Sequence, residues 1–249
     1  KVFTKLNVSR GFRAPNIDDL CKVFESIPGK VIVPNPELKP EKTYNGEISL
    51  SKGFNEAVKL ETTGYFTRYK NVITSGKSQF NGMDSIMYNG TLSEVLSNFN
   101  KTTAYIYGTS WNFIADISSV ISISSALNFT YGRLKTDSAD SPLDHIPPVF
   151  GKTSFNLKLN KFRGELFVLF NGAKKLKDYN LYGEDNFAYA TPVGMPSWHT
   201  LNTRTSLQFT KNIQLQLACE NILDRHYRVF ASGISGMGRN FVITLRGNI

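Results

Sequence analysis

Long apolar runs are missing from this sequence. No stretch of its 249 residues approaches the roughly 18 that a spanning helix needs; Phe167-Val168-Leu169-Phe170 is among the strongest and is short. Cysteine is nearly absent. Cys21 and Cys219 lie far apart, one in a long loop and one on the apolar face of a strand, with no metal-ligand spacing, and read as two free thiols. The nucleophile pattern G-x-S-x-G is absent. Gly233-Ile234-Ser235-Gly236-Met237-Gly238 is rich in glycine but precedes a strand, not a helix, which excludes a phosphate cradle. A compact basic cluster is lacking too: 29 Lys and Arg against 20 Asp and Glu give a net charge of +9, but the bases are spread over loops and polar strand faces, which argues against nucleic acid. The chain starts at Lys1 with no signal peptide, so the expectation is a piece of a longer, exported protein.

What the sequence does have is a period of two, which places alternate side chains on opposite faces of a sheet. Ten strands follow from it. They are Val2–Phe12, Thr43–Lys52, Val58–Asn71, Thr103–Ile117, Val120–Gly132, Phe150–Leu159, Phe162–Gly172, Trp198–Thr210, Ile213–Glu220 and Asn240–Ile249. In the last of these, Phe241, Ile243, Leu245 and Ile249 share one face. Asn240, Thr244, Arg246 and Asn248 share the other, with Val242 as an apolar exception.

The connections alternate. Returns near residues 53, 118, 160 and 211 are tight, whereas those after about 12, 72, 132, 172 and 224 are long. In an antiparallel meander all long loops then emerge at one rim. Prolines 15, 28, 34, 36 and 40 make residues 13–42 a loop, since proline interrupts a ladder. One oily and one polar face, with long loops on one side only, fit an antiparallel transmembrane β-barrel with lipid outside and water inside. Without spanning helices, a membrane position requires such a closed wall. Tyr44, Tyr105, Tyr107, Trp111, Tyr131 and Trp198 suit interfacial aromatic belts. A self-contained ten-stranded barrel enzyme and a soluble β-sandwich binding module are the alternatives; a sandwich does not require the split of long and short connections.

Four stretches resemble one family. Ser9-Arg10-Gly11-Phe12-Arg13-Ala14-Pro15-Asn16 is similar to the S-x-G-F-R-A-P segment of TonB-dependent outer-membrane receptors. Asn35-Pro36-Glu37-Leu38-Lys39-Pro40-Glu41 is similar to their N-P-x-L-x-P-E segment. Glu220-Asn221-Ile222-Leu223-Asp224-Arg225-His226-Tyr227 resembles their E-N-L-x-D-x-x-Y signature, and Gly238-Arg239 the opening of their last strand. The likeness is greatest to Bacteroidetes-type receptors. It implies the last ten strands of a barrel of about 22, with the plug and the first strands absent. It also implies the outer membrane of a Gram-negative bacterium, energy from the TonB complex through the missing N-terminal region, and no bond-making chemistry or cofactor. The implied ligand is a scarce small molecule such as an iron chelate or heme, with cobalamin or an oligosaccharide next. Two departures stand out: the family ends on an aromatic residue where this chain has Ile249, and no histidine lies between Pro15 and Asn35, where heme receptors of the family carry one.

Candidate ligand contacts on the long loops are Arg13, Asn35, Glu37, Tyr88, His145, Tyr179, Tyr182 and Tyr189; loop aromatics give rigid contact area at low entropic cost. They serve equally to pack the loops. Asp144 beside His145 lacks the orienting group and positioned water of a catalytic pair. Candidate lumen-facing residues are Asn45, Glu47, Asn112, Lys152, Arg204, Gln214 and Arg246.

Overall fold

The computed structural model describes residues 2–135, 140–180 and 185–247. Fourteen strands form one sheet: β1 (Val2–Arg13), β2 (Phe24–Ile27), β3 (Lys30–Val33), β4 (Glu41–Gly53), β5 (Val58–Lys77), β6 (Ser85–Tyr88), β7 (Thr91–Asp116), β8 (Ile121–Lys135), β9 (Asp140–Pro142), β10 (Phe150–Leu159), β11 (Phe162–Asn171), β12 (Trp198–Gln208), β13 (Ile213–Glu220) and β14 (Asn240–Gly247). Ten of them make a continuous antiparallel wall in the order β1-β4-β5-β7-β8-β10-β11-β12-β13-β14. Four tight returns join β4 to β5, β7 to β8, β10 to β11 and β12 to β13, so all longer connections lie at the opposite rim.

The wall turns its apolar face outward. Along β4, Glu41, Thr43, Asn45, Glu47, Ser49 and Ser51 are half-buried, while the alternate residues, among them Tyr44, Ile48 and Leu50, are exposed. A flat sheet exposes both faces alike. Unequal exposure means that the polar side chains crowd one another on the concave side. Phe155, Leu166, Leu217 and Ile243 are likewise exposed on the apolar face. In water such rows would drive association; in hydrocarbon they are where they belong. Among the described residues no second sheet or helical layer covers them, and β1 and β14 do not pair with each other. Among the described residues no helix is long and apolar enough to cross a membrane.

The long-loop rim departs from the sequence expectation. The third and fourth wall strands do not stop at Asn71 and begin at Thr103; β5 runs on to Lys77 and β7 starts at Thr91, pairing from Val72↔Lys101 to Lys77↔Leu96. Above them β6 folds back on β7 through Asn89-Gly90, both at positive φ, a two-residue hairpin turn. Residues 13–42 are not a plain loop either. Asn16 caps the short helix α1 (Ile17–Cys21) with a reciprocal Asp19 contact. Pro28-Gly29, with Gly29 at φ +78, turns β2 into β3. Proline excludes the ladder only where it sits, and Phe24–Ile27 and Lys30–Val33 are free of it. β3 pairs parallel to β7, the one parallel pair among the described residues. Val31, Val33 and Val95 form a small buried cluster there, with Ile86 and Tyr88 against it.

Two close approaches fix the polar face. Tyr65 reaches over Gly108 of the intervening strand to Thr130, 2.9 Å away. Ile146, from the loop after β8, fills the notch at Gly132. That loop therefore folds inward over the wall.

Candidate functional site

Cross-strand register places Asn45, Glu47, Asn112, Lys152, Arg204, Gln214 and Arg246 on the polar face. It brings only some of them together. Lys152 and Arg204 converge on Glu165, which neither the spacing nor the alternation singled out: Lys152 Nζ lies 2.5 Å and Arg204 4.0 Å from its carboxylate, and Ser154 Oγ donates to it at 2.8 Å. Arg204 also reaches Glu220 at 3.7 Å. The Lys152 ammonium sits 4.2 Å above the ring of Phe167, an apolar residue of the polar face. Lys152, Phe167, Arg204, Glu220 and Tyr227 border a cleft of about 280 Å³. Asn45 accepts a bond from Thr67, and Gln214 one from Gln216. Glu47, Asn112 and Arg246 stand apart from this group.

The loop candidates separate into two groups at the long-loop rim. In the first, Arg13 bridges Glu41 at 2.6 Å and Asp19 at 3.0 Å. Asn35 is used within the chain: its amide donates to Asn98 O and its oxygen accepts from Glu37 N. Glu37 is exposed, and the Tyr88 hydroxyl donates to Val23 O at 3.3 Å. In the second group, Tyr179 is buried edge-on to Phe187 and Phe230. Tyr189 is exposed beneath the guanidinium of Arg228, at 4.9 Å. His145 has an exposed side chain and a left-handed backbone. Tyr182 falls outside the described residues.

A buried staple holds the second group. Asp185, 1% exposed, accepts from the backbone N–H of His145 and of Asn180, each at 2.8 Å, joining the loops after β8 and β11. Lys174 beside it donates to Ile146 O and lies 4.7 Å over the Phe230 ring. Burial pushes the Lys174 ammonium below the ordinary lysine value, against the pull of Asp185 and Asp178. Burial likewise raises the Tyr179 phenol, helped by the charge of Asp185. Nothing in the local pattern marks Asp185 or Lys174 as buried, since both sit in a loop rich in charge.

The last long loop is held by the C-terminal signature. Buried Asn221 donates to Arg225 O and Met237 O and accepts from Arg225 N; its own N–H donates to Asn202 Oδ1. Asp224 accepts from Arg239 N, and Arg239 Nε donates to Ile222 O. Tyr227 lies against Gly236, and its ring is tilted against that of Trp198 with centroids 4.5 Å apart. His226 meets Ser235 at 3.0 Å. The signature is thus a clasp.

Between this clasp and the loop after β11 lies a cavity of about 240 Å³, lined by Tyr179, Tyr189, Trp198, Tyr227, Arg228 and Phe230 among others. Trp198 and Arg228 are among the side chains that border it. Trp198 Nε1 is buried; among the described residues it makes no hydrogen bond, and half-buried Arg228 forms no ion pair. Aromatic walls and a guanidinium without a carboxylate partner among the described residues suit a flat, anionic group. Among the described residues no three His, Cys, Asp or Glu side chains gather as metal ligands.

Comparison with known proteins agrees with this geometry. The family model described as TonB dependent receptor-like, beta-barrel, matches residues 2–222. The chain is similar to the probable hemoglobin and hemoglobin-haptoglobin-binding protein 4 of Haemophilus influenzae, 29% identical over 247 residues, which cover 93% of this chain and 24% of that protein. It is also similar to the iron-regulated outer membrane virulence protein of Vibrio cholerae, 22% identical, covering 97% and 36%. Among solved structures, the copper transporter OprC gives a TM-score of 0.77 at 14% identity, covering 99% of this chain and 37% of that one. The ferric enterobactin receptor of Pseudomonas aeruginosa gives 0.73 at 17%, covering 99% and 38%. The chain thus spans between 24% and 38% of the length of these proteins. With the family match running from residue 2 to 222 of 249, the chain belongs to the TonB-dependent receptor-like β-barrel family.

Proposed function

We propose that the chain is the C-terminal part of an outer-membrane receptor that takes up a scarce ligand, an iron chelate or heme in the first instance. The carrying observation is the ten-stranded wall with its apolar rows exposed and its polar rows inside. That arrangement is useful in lipid and costly in water. The names of the Haemophilus and Vibrio relatives, for hemoglobin binding and iron regulation, support the choice of ligand class. In this reading the wall closes with further strands to about 22, and a plug fills the bore. The polar side chains from Asn45 to Arg246 meet the plug or the passing ligand, and the TonB complex supplies the energy. The resemblance of its motifs to Bacteroidetes-type receptors is the finer placing we keep.

Between the two ligands we place the chelate first. The cavity between the last two long loops is smaller than the roughly 300–1,000 Å³ of pockets that enclose a drug-sized molecule. It takes one ring of a chelate, with Arg228 facing its anionic oxygens, and not a whole porphyrin. The histidines give heme iron no paired ligands: His145 is exposed in the loop after β8, His226 is engaged by Ser235, and His199 stands on the lipid-side face. The test is uptake of ⁵⁵Fe-labelled catecholate chelates and of heme by cells expressing the whole receptor as their sole iron receptor. Accumulation of a chelate that a protonophore abolishes is the expected result. No accumulation of either ligand, or accumulation indifferent to the protonophore, overturns the reading.

A further inference from the structure

The outward face carries a feature that ligand uptake does not use. Near the long-loop rim, Arg10, Tyr44, Arg68 and Tyr105 stand side by side on β1, β4, β5 and β7. One step nearer the rim Phe12, Lys42 and Lys70 do the same. Both rows are on the apolar side of the wall. Directly below them come Val8, Phe66 and Tyr107, then Leu6 and Ile48. The rings of Phe66, Tyr105, Tyr107, Phe129 and Tyr131 form a continuous aromatic strip, with neighbouring centroids 5.3 to 6.5 Å apart.

Arg10, Lys42, Arg68 and Lys70 are all exposed, and among the described residues none of them forms an ion pair. Arg10 and Lys70 instead flank the Tyr44 ring, at 5.6 and 5.8 Å. Lys42 and Lys70 are direct cross-strand partners. Like charges so placed repel, and strands about 4.8 Å apart keep all four cations within roughly 12 Å of one another. Further along the band the charge is balanced. Arg133 is paired with Asp178, and Lys135 stands opposite Asp140, which accepts the Tyr105 hydroxyl at 3.1 Å. Among the described residues the β1-β4-β5 end has no such anion against its cations.

We propose that this band is a docking site for the phosphate groups of an anionic glycolipid in the leaflet at the long-loop rim. The phosphates neutralise Arg10, Lys42, Arg68 and Lys70, and the acyl chains continue down over Val8, Leu6 and Ile48. Charge complementarity and continuity with the oily rows select a lipid over a soluble anion. A free phosphate gains nothing from the apolar surface immediately below. The proposal rests on the membrane reading of the wall and is independent of what the receptor carries.

The test is native mass spectrometry of the protein extracted from outer membranes in detergent, titrated with diphosphoryl lipid A and with the same lipid after enzymatic removal of both phosphates. The expected result is retention of the phosphorylated lipid only. Lys42→Gln with Lys70→Gln weakens that retention roughly 25-fold, from about fivefold for each cation near a charged surface. Lys158→Gln with Lys161→Gln, at the tight-turn rim, leaves it unchanged. In lipid-free detergent the Lys42/Lys70 double variant melts no lower than the parent, because it relieves repulsion; with lipid A present it melts lower. Equal retention of the dephosphorylated lipid, an unaffected Lys42/Lys70 variant, or an equal loss in the turn-rim variant overturns the proposal. A protein that fails to enter bilayers overturns the membrane reading and this site with it. One that enters them without a phosphate preference overturns this site alone.

Discussion

Replacing Asp185 by Asn should open two loops at once and leave the wall alone. The carboxylate accepts one backbone N–H from His145 and one from Asn180, in a site that is 1% exposed. A hydrogen bond to a charged acceptor is worth about 1.5–3 kcal/mol. Asparagine keeps one oxygen and turns an NH₂ group towards the other donor, so one such bond is lost and the remaining one is weakened. The expected cost is therefore about 2–3 kcal/mol. The loops are not part of the wall ladder, so this appears as local opening rather than global unfolding. At about 1.4 kcal/mol per tenfold, hydrogen exchange in peptides covering 143–146 and 178–180 accelerates by roughly 30- to 150-fold, while peptides from β8 keep their rates. The two loops accelerate together, because one side chain holds both. Unchanged exchange in both loops, acceleration of only one, or equal loss in β8 refutes the staple.

Leu166→Arg puts a charge at the middle of β11 on the exposed apolar face; it should lower folding free energy in lipid vesicles by about 2–4 kcal/mol, whereas Ser206→Arg on the polar face should cost little, as urea titration will read. Gly108→Ala places a methyl group 2.4 Å from the Phe129 carbonyl oxygen and 2.5 Å from the Tyr65 hydroxyl, so it should destabilise by about 1–3 kcal/mol in the same titration; a cost under about 0.5 kcal/mol contradicts the close approach. Asp224→Ala removes the acceptor for Arg239 N and should release the last long loop, seen as faster proteolysis within residues 225–239 with β13 still protected.

The wall is legible in the sequence because each of its strands has one environment on each side. Thr43 to Ser51 alternates without a break, so the period of two fixes both the strand and its faces. The rim is not, because its strands meet a different neighbour on each side at every step. In β7, Val95 and Leu96 are adjacent and both fully buried, Val95 against β3 and Leu96 in the pairing with β5, so the alternation disappears and the segment resembles a loop. A signal was still available. Asn81-Gly82 and Asn89-Gly90 are two-residue hairpin turns written in the sequence, with positive φ at all four positions. Pro28-Gly29 announces the third turn. The parallel docking of β3 leaves no local trace, since it depends on residues 64 positions away.

The candidate site divides in the same way. Tyr179 and Tyr189 are recognisable as aromatic residues on a long loop, and they do border the rim cavity. Arg228 and Trp198 become partners in it only through the clasp made by Asn221, Asp224 and Arg239. The loop motifs around Arg13 and Asn35 are equally recognisable, but their side chains are engaged with Glu41, Asp19 and Asn98. Their placement is that of residues shaping the loop.

Spin labels placed singly at each position from Asn45 to Ser51 in bilayer-inserted protein test the two-sided wall most directly. Labels at Ile48 and Leu50 should collide with dissolved oxygen and be shielded from a water-soluble nickel relaxant, while those at Asn45, Glu47, Ser49 and Ser51 show the reverse. Accessibility that fails to alternate, or alternates with the polar positions in lipid, contradicts the account.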